Sequence, residues 1–166
     1  MPNSFYLDAS ALTKRYIPEK GYALVNTILN NVPPSRIHFL NVGAGEILSV
    51  LVRRRNARTL SIANFHQAVA NFNAEIVRWT AVTRASVTTR LVATSLPLII
   101  AHSINSTDAL ILKSALAIAR KLRRAGDDLV LVASDQRLLR AAQAEGEITF
   151  NPETQDQAAL AALIGP

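Results

Sequence analysis

The sequence predicts an α/β fold: a mostly parallel sheet covered by helices on both faces. Three observations lead there. Short apolar runs alternate with segments of helical periodicity along the whole chain. The run "DLVLVAS" over 128–134 is almost continuously apolar, as in a strand buried on both sides. Acidic residues recur at the seams where an apolar run gives way to a helix, the edge where open parallel sheets bind ligands.

The elements follow in order. "SFYL" over 4–7 is a first strand, and "SALTKRYI" over 10–17 a short helix stopped by Pro18. A helix over 20–31 carries Ala23, Leu24 and Ile28 at helical spacing and ends at the "VPPS" breaker. "RIHFLNV" over 36–42 is a second strand. A helix over 43–57 presents Ile47, Val50 and Leu51 on one face, and another spans 60–76. "VRWTAVT" over 77–83 is a candidate strand, and 84–96 reads as a helix ending near Pro97. The strongest helix covers 105–126, with Ser106 or Thr107 as cap, an apolar stripe of Leu110, Ile111, Ala115, Ile118 and Leu122, and Gly126 as terminator. The strand over 128–134, a helix to Gly146 and a strand over 147–150 complete a domain over 1–150. The tail over 151–166 contains one short helical stretch, "QAALAALI".

The chain has 166 residues, enough for one domain with its own core. It has no cysteine, which excludes disulfides and thiolate metal sites. No segment has the length of a membrane span, and the start Met1-Pro2-Asn3-Ser4 lacks a signal-peptide pattern. These features predict a cytoplasmic protein with no membrane partner. Lys and Arg number 18 against 12 Asp and Glu, a net charge of +6 that favours a polyanionic partner such as RNA.

Four of those 12 acids share one kind of position. Asp8 and Asp135 each follow a strand, Glu46 lies in the first turn of the helix after the second strand, and Asp108 lies in the first turn of the best helix. A carboxylate in a first turn meets free N–H groups and the positive dipole end, worth about 0.3–1 kcal/mol. That accounts for any one of the four. Four at one sheet edge would repel one another and require a cation. Oxygen donors without Cys or nearby His suit Mg²⁺ or Mn²⁺, ions that assist phosphodiester hydrolysis.

Other acid-based sites fit less well. A dehalogenase-type phosphatase needs a second aspartate at position 10, which is Ser10; a receiver domain needs a late-strand lysine that is missing. In "GAGEIL" the third glycine of a dinucleotide loop is replaced by Leu48, so these glycines read as allowing a tight strand-to-helix entry. The histidines His38, His66 and His102 are too scattered for a metal site.

"YLDASALTKRYIPEKG" over 6–21, "EILSVLVRR" over 46–54, "TDALILKSALAIA" over 107–119 and "LVASDQRLLRAAQAEG" ending at Gly146 resemble, in order, the motifs of PIN-domain proteins, in particular the VapC-like toxins. The resemblance implies a three-layer α/β/α sandwich and a metal-dependent ribonuclease, the toxin of a toxin–antitoxin pair. It maps the family's acids to Asp8, Glu46, Asp108 and Asp135, as catalytic residues and as ligands of Mg²⁺ or Mn²⁺. Ser10 takes the place of the small polar residue after the first acid, and Ser134 stands where the family often has Thr. It implies an RNA substrate, a small antitoxin and a homodimer. The segment over 60–105 matches nothing specific.

Lys14 and Arg15 are candidate phosphate contacts near the crevice. Arg53 and Arg54, in a cluster with Arg55 and Arg58, are others, expected far from the acids at a helix end, as is the cluster over 120–124. Ile28, Leu29, Ile62 and Phe65 are candidates for a partner surface. The rival functional class is a catalytically silent PIN-like module that binds RNA or acts as a scaffold.

Overall fold

The computed structural model describes residues 3–77 and 82–165. Its centre is a five-stranded sheet in the order β3-β2-β1-β4-β5, every pairing parallel. The strands are β1 (Ser4–Leu7), β2 (Ile37–Leu40), β3 (Thr83–Ala85), β4 (Leu129–Val132) and β5 (Ile148–Phe150). The chain winds outward from β1 to β2 and β3, then returns to β1's other side as β4 and β5. The winding therefore reverses between β1 and β4, where open α/β sheets place their ligands.

Alternation along the strands separates two cores. Phe5, Leu7, Ile37, Phe39, Val130, Val132 and Phe150 point to one face. There they meet α2 (Tyr22–Asn31), α3 (Val42–Asn56), α4 (Ile62–Phe72) and α8 (Gln157–Ile164). Tyr6, Leu40, Leu129 and Leu131 point to the other face. They pack against α5 (Thr89–His102), α6 (Ser106–Arg124) and α7 (Gln136–Ala144). This is the expected three-layer α/β/α sandwich. Between β1 and α2 lie the single turn α1 (Ala9–Leu12) and a 3₁₀ turn, Thr13–Arg15. Among the described residues no single helix is long and apolar enough to cross a membrane.

Several local expectations change. Of the candidate strand over 77–83, residues 78–81 lie outside the described residues, and only Thr83 belongs to β3. Arg84 and Ala85, read as helical, continue β3 by pairing with Phe39 and Leu40. The next helix starts at Thr89, because the Thr88 hydroxyl caps it by accepting from Leu91 N. It runs past Pro97 to His102. Proline removes the donor for the carbonyl of Ala93, but Ala93 is exposed, so water can satisfy it. The cap of α6 is Asn105, not Ser106 or Thr107. Its buried stripe is Ile111, Leu112, Ala115 and Ala119, with Leu110, Ile118 and Leu122 only half-buried at its margin. Neither Gly43 nor Gly45 is needed for the entry to α3. A Cβ at Gly43 would make an ordinary 3.8 Å contact with Ala9, and one at Gly45 would meet nothing. Ile28 and Phe65 are core residues, not partner surface; Leu29 is half-buried, and only Ile62 is well exposed, at 69%.

The segment after β5 returns to the body of the domain. Leu160 on α8 is fully buried in the core that holds Val25 and Ile28, and Asn3 Nδ2 donates to Leu163 O at 2.9 Å. Leu160→Ala is expected to destabilise the protein by about 2–4 kcal/mol, the usual range for emptying a buried leucine site. Urea denaturation checks this; a loss below about 0.5 kcal/mol would mean that α8 is not anchored in the core.

Candidate active site at the carboxyl edge of the sheet

The four acids reach the carboxyl edge by three local devices. Asp8 is the N-cap of α1, accepting from Ser10 N at 3.1 Å, and its own amide donates to Val132 O at 3.0 Å. Asp135 is the N-cap of α7, accepting from Arg137 N at 2.7 Å and Leu138 N at 3.3 Å. Asp108 is the third residue of α6 and trades hydrogen bonds with its cap. Asn105 Oδ1 accepts from Asp108 N, and Asn105 Nδ2 donates to Asp108 Oδ2, both at 2.8 Å.

Glu46 differs. It lies in the second turn of α3, not the first, and takes no hydrogen bond or ion pair among the described residues. Helix capping explains part of the placement of three acids and none of the placement of Glu46.

All four line one cavity of about 470 Å³. Ser10 and Ser134 line it too, and the Ser10 hydroxyl ties the two switch-point strands together by accepting from Ser134 N at 2.9 Å. The carboxylates feel one another. Burial raises the Asp8 carboxyl above the usual range, Asp135 adds to the rise, and the Ser10 hydroxyl and amide oppose it. Burial and then the charges of Asp8 and Asp108 raise Glu46. Asp108 is pushed up to about 6 by burial and by the charges of Asp135 and Asp8.

Two further acids, Glu19 and Glu153, line the same cavity, making six carboxylates against two cations, Lys14 and Arg53. Sequence reading missed both. Glu19 follows a proline in a loop and Glu153 lies in the tail, and neither shares the strand-end signature of the others.

The basic candidates separate. Arg53, expected far from the acids, lines the cavity, two turns beyond Glu46 on the same face of α3. It makes no ion pair among the described residues. Arg54 pairs with Glu19 at 2.9 Å. Arg15 turns away to Glu75 (2.8 Å) and lines a different cavity with Leu29 and Ile76. Lys14 is 2% exposed and bound by two carboxylates, so it is not a free phosphate contact.

The donor set is all oxygen, crowded and short of cations, which fits a hard divalent ion. Among the described residues, however, no group of three or more acidic or histidine side chains is arranged to hold a metal ion.

The fold is similar to those of several solved structures. VapC20 of Mycobacterium tuberculosis, described as a sarcin-ricin loop cleaving toxin, aligns over 92% of this chain and all of its own, with a TM-score of 0.62 and 18% identity. A FitAB complex bound to a DNA fragment aligns over 92% of this chain and 98% of its own, with a TM-score of 0.64 and 14% identity. PAE2754 of Pyrobaculum aerophilum covers 98% of this chain and 96% of its own, with a TM-score of 0.58 and 16% identity. No family model and no curated protein matches the sequence. The likeness identifies the architecture as the PIN-like sandwich.

The raised carboxyls make a pH prediction. Asp108 holds its proton more tightly folded (about 6) than at its ordinary value of 3.8. Its contribution to metal-free stability is therefore largest below about pH 4 and is lost as pH rises through 6. Wild type should lose more stability between pH 5 and 7.5 than Asp108→Asn, by on the order of 1 kcal/mol. Urea titrations in chelator check this; identical pH profiles would show that burial and the neighbouring charges do not raise the Asp108 carboxyl.

Proposed function

We propose that this protein is a PIN-family metal-dependent endoribonuclease acting as the cytoplasmic toxin of a toxin–antitoxin pair. The observation that carries the reading is Glu46. It is a half-buried carboxylate that caps nothing and pairs with nothing among the described residues, held in the cavity at a cost in burial and in repulsion from Asp8 and Asp108. A group maintained against its own electrostatics is a functional-site signature. The resemblance in motif order and the likeness in fold to a protein described as a sarcin-ricin loop cleaving toxin support the same class.

Asp8, Glu46, Asp108 and Asp135 would hold Mg²⁺ or Mn²⁺. When bound, such an ion offsets the charge of a phosphodiester and favours its hydrolysis. The chain's own residues do the rest. Ser10 steadies Asp8 and joins the two switch-point loops through Ser134 N. Arg53, which lines the cavity and makes no ion pair among the described residues, would receive an RNA phosphate. The charge balance argues for metal dependence, since a polyanion would be repelled by six carboxylates facing two cations. The small antitoxin would offer a basic side chain, an arginine by its fit to carboxylates, to the same acidic crevice. The active form would be a homodimer.

Glu46→Gln and Asp8→Asn should each lower RNA cleavage with Mn²⁺ by at least about 10²-fold, the scale of losing several kcal/mol of charge stabilisation. Glu46→Gln should leave metal-free stability unchanged or higher, because it removes repulsion and no cap. Mn²⁺ at 100 times its Kd should stabilise the wild type by about 2.7 kcal/mol and thereby raise its melting temperature. Growth arrest on expression of wild type but not Asp8→Asn completes the test. Soluble wild type that neither cuts RNA nor gains stability from Mn²⁺ would favour the silent module.

A further inference from the structure

Lys14 is the most buried charged side chain of the cavity, with 2% of its surface exposed. Its ammonium sits between two carboxylates. Nζ donates to Glu19 Oε1 at 3.1 Å and to Glu153 Oε1 at 2.6 Å. Both carboxylates line the cavity that holds the four acids. Each is also fixed from elsewhere. Arg54 Nη2 holds the other oxygen of Glu19 at 2.9 Å. Glu153 is set by a built turn: Asn151, itself buried, accepts from Glu153 N at 2.8 Å through Oδ1, and Gln155 Oε1 accepts from Asn151 N at 2.7 Å. Pro152 presses on Gly21, where an added Cβ would stand 2.8 Å from Pro152 O and the φ of +89° already favours glycine. Two distant segments are thus shaped to aim two carboxylate oxygens at one point, and the chain's own ammonium occupies it.

A divalent ion such as Mg²⁺ or Mn²⁺ commonly takes one or two carboxylates and completes its shell with water. Glu19 and Glu153 would make such a pair if Lys14 were absent. We propose that Lys14 is a positioning residue, the resident counter-cation of the cavity, which satisfies Glu19 and Glu153 and so limits the site to a single divalent ion. The inference rests on the metal-dependent reading above. It also makes the segment after β5 a contributor to the site, because Glu153 comes from it.

The probe is Mn²⁺ alone, counted by titration calorimetry on the full chain, with melting temperature as a second readout. Wild type should bind one ion. Lys14→Ala should bind two and gain more melting temperature from saturating Mn²⁺ than wild type does. Lys14→Arg, which keeps the charge, and Lys14→Ala/Glu153→Gln, which removes a ligand, should each return the count to one. If metal-free Lys14→Ala does not fold, Mn²⁺ supplied during refolding should restore it, and failure to restore it would overturn the proposal. One ion in both wild type and Lys14→Ala, with equal thermal gains, would overturn the role of Lys14 and leave the ribonuclease reading standing. No ion in wild type would overturn both.

Discussion

The site depends on the pairing of β1 with β4. These strands are neighbours in space although 125 residues separate their register partners Leu7 and Val132. That register sets Asp8 beside the start of the Ala133-Ser134-Asp135 turn, and the bond from Asp8 N to Val132 O extends the ladder to Asp8 itself. The Ser10 hydroxyl then accepts from Ser134 N, locking the two exit loops together. Because side chains alternate along a strand, a slip of one residue would turn Phe5 and Leu7 out of one core and Tyr6 out of the other. The apolar alternation that stabilises the sheet is therefore what keeps two carboxylates side by side.

Holding them there works against stability. Asp8, Glu46 and Asp108 all have carboxyls raised first by burial and then by neighbouring acids: Asp135 acts on Asp8, Asp8 and Asp108 on Glu46, and Asp135 and Asp8 on Asp108. The fold offsets part of this locally. Asp8 and Asp135 cap helices, and Asp108 shares a reciprocal bond pair with Asn105. The remaining imbalance is carried by Glu46, whose place on α3 is set by Ile47 and Leu51 packing into the core beneath it. Packing of that helix face holds Glu46 in place against the repulsion, so its carboxylate can be substituted without unseating the helix.

The rim of the cavity follows a different electrostatic logic. A lysine with 2% exposure needs partners, since an uncompensated buried charge costs several kcal/mol. Glu19 and Glu153 are those partners, and Arg54 continues the chain of charges to the end of α3. The network joins α3, the loop before α2 and the segment after β5 around one opening. The cavity's acids are therefore of two kinds: four that crowd one another and two that are neutralised from within.

Much of this was legible in the sequence. Strands over 4–7 and 128–134 announce themselves by apolar runs, and the acids after them by their position at a seam. Strand ends and helix starts are local signals, which is why the gathering of Asp8, Asp108 and Asp135 in one cavity could be read; Glu46 joins them there although it lies a turn deeper in its helix than the sequence suggested. What depends on contacts between distant segments was not legible. Arg53 reads as a remote helix end, yet two helical turns return it to the face of Glu46 and into the cavity. Ile28 and Phe65 read as surface only until their helices are laid on the sheet. Lys14 looks like a free cation until Glu153, 139 residues later, comes back to meet it. Periodicity and capping act within a few residues and can be read along the chain. Ion pairing and burial are set by which segments the sheet brings together, and those only the tertiary structure decides.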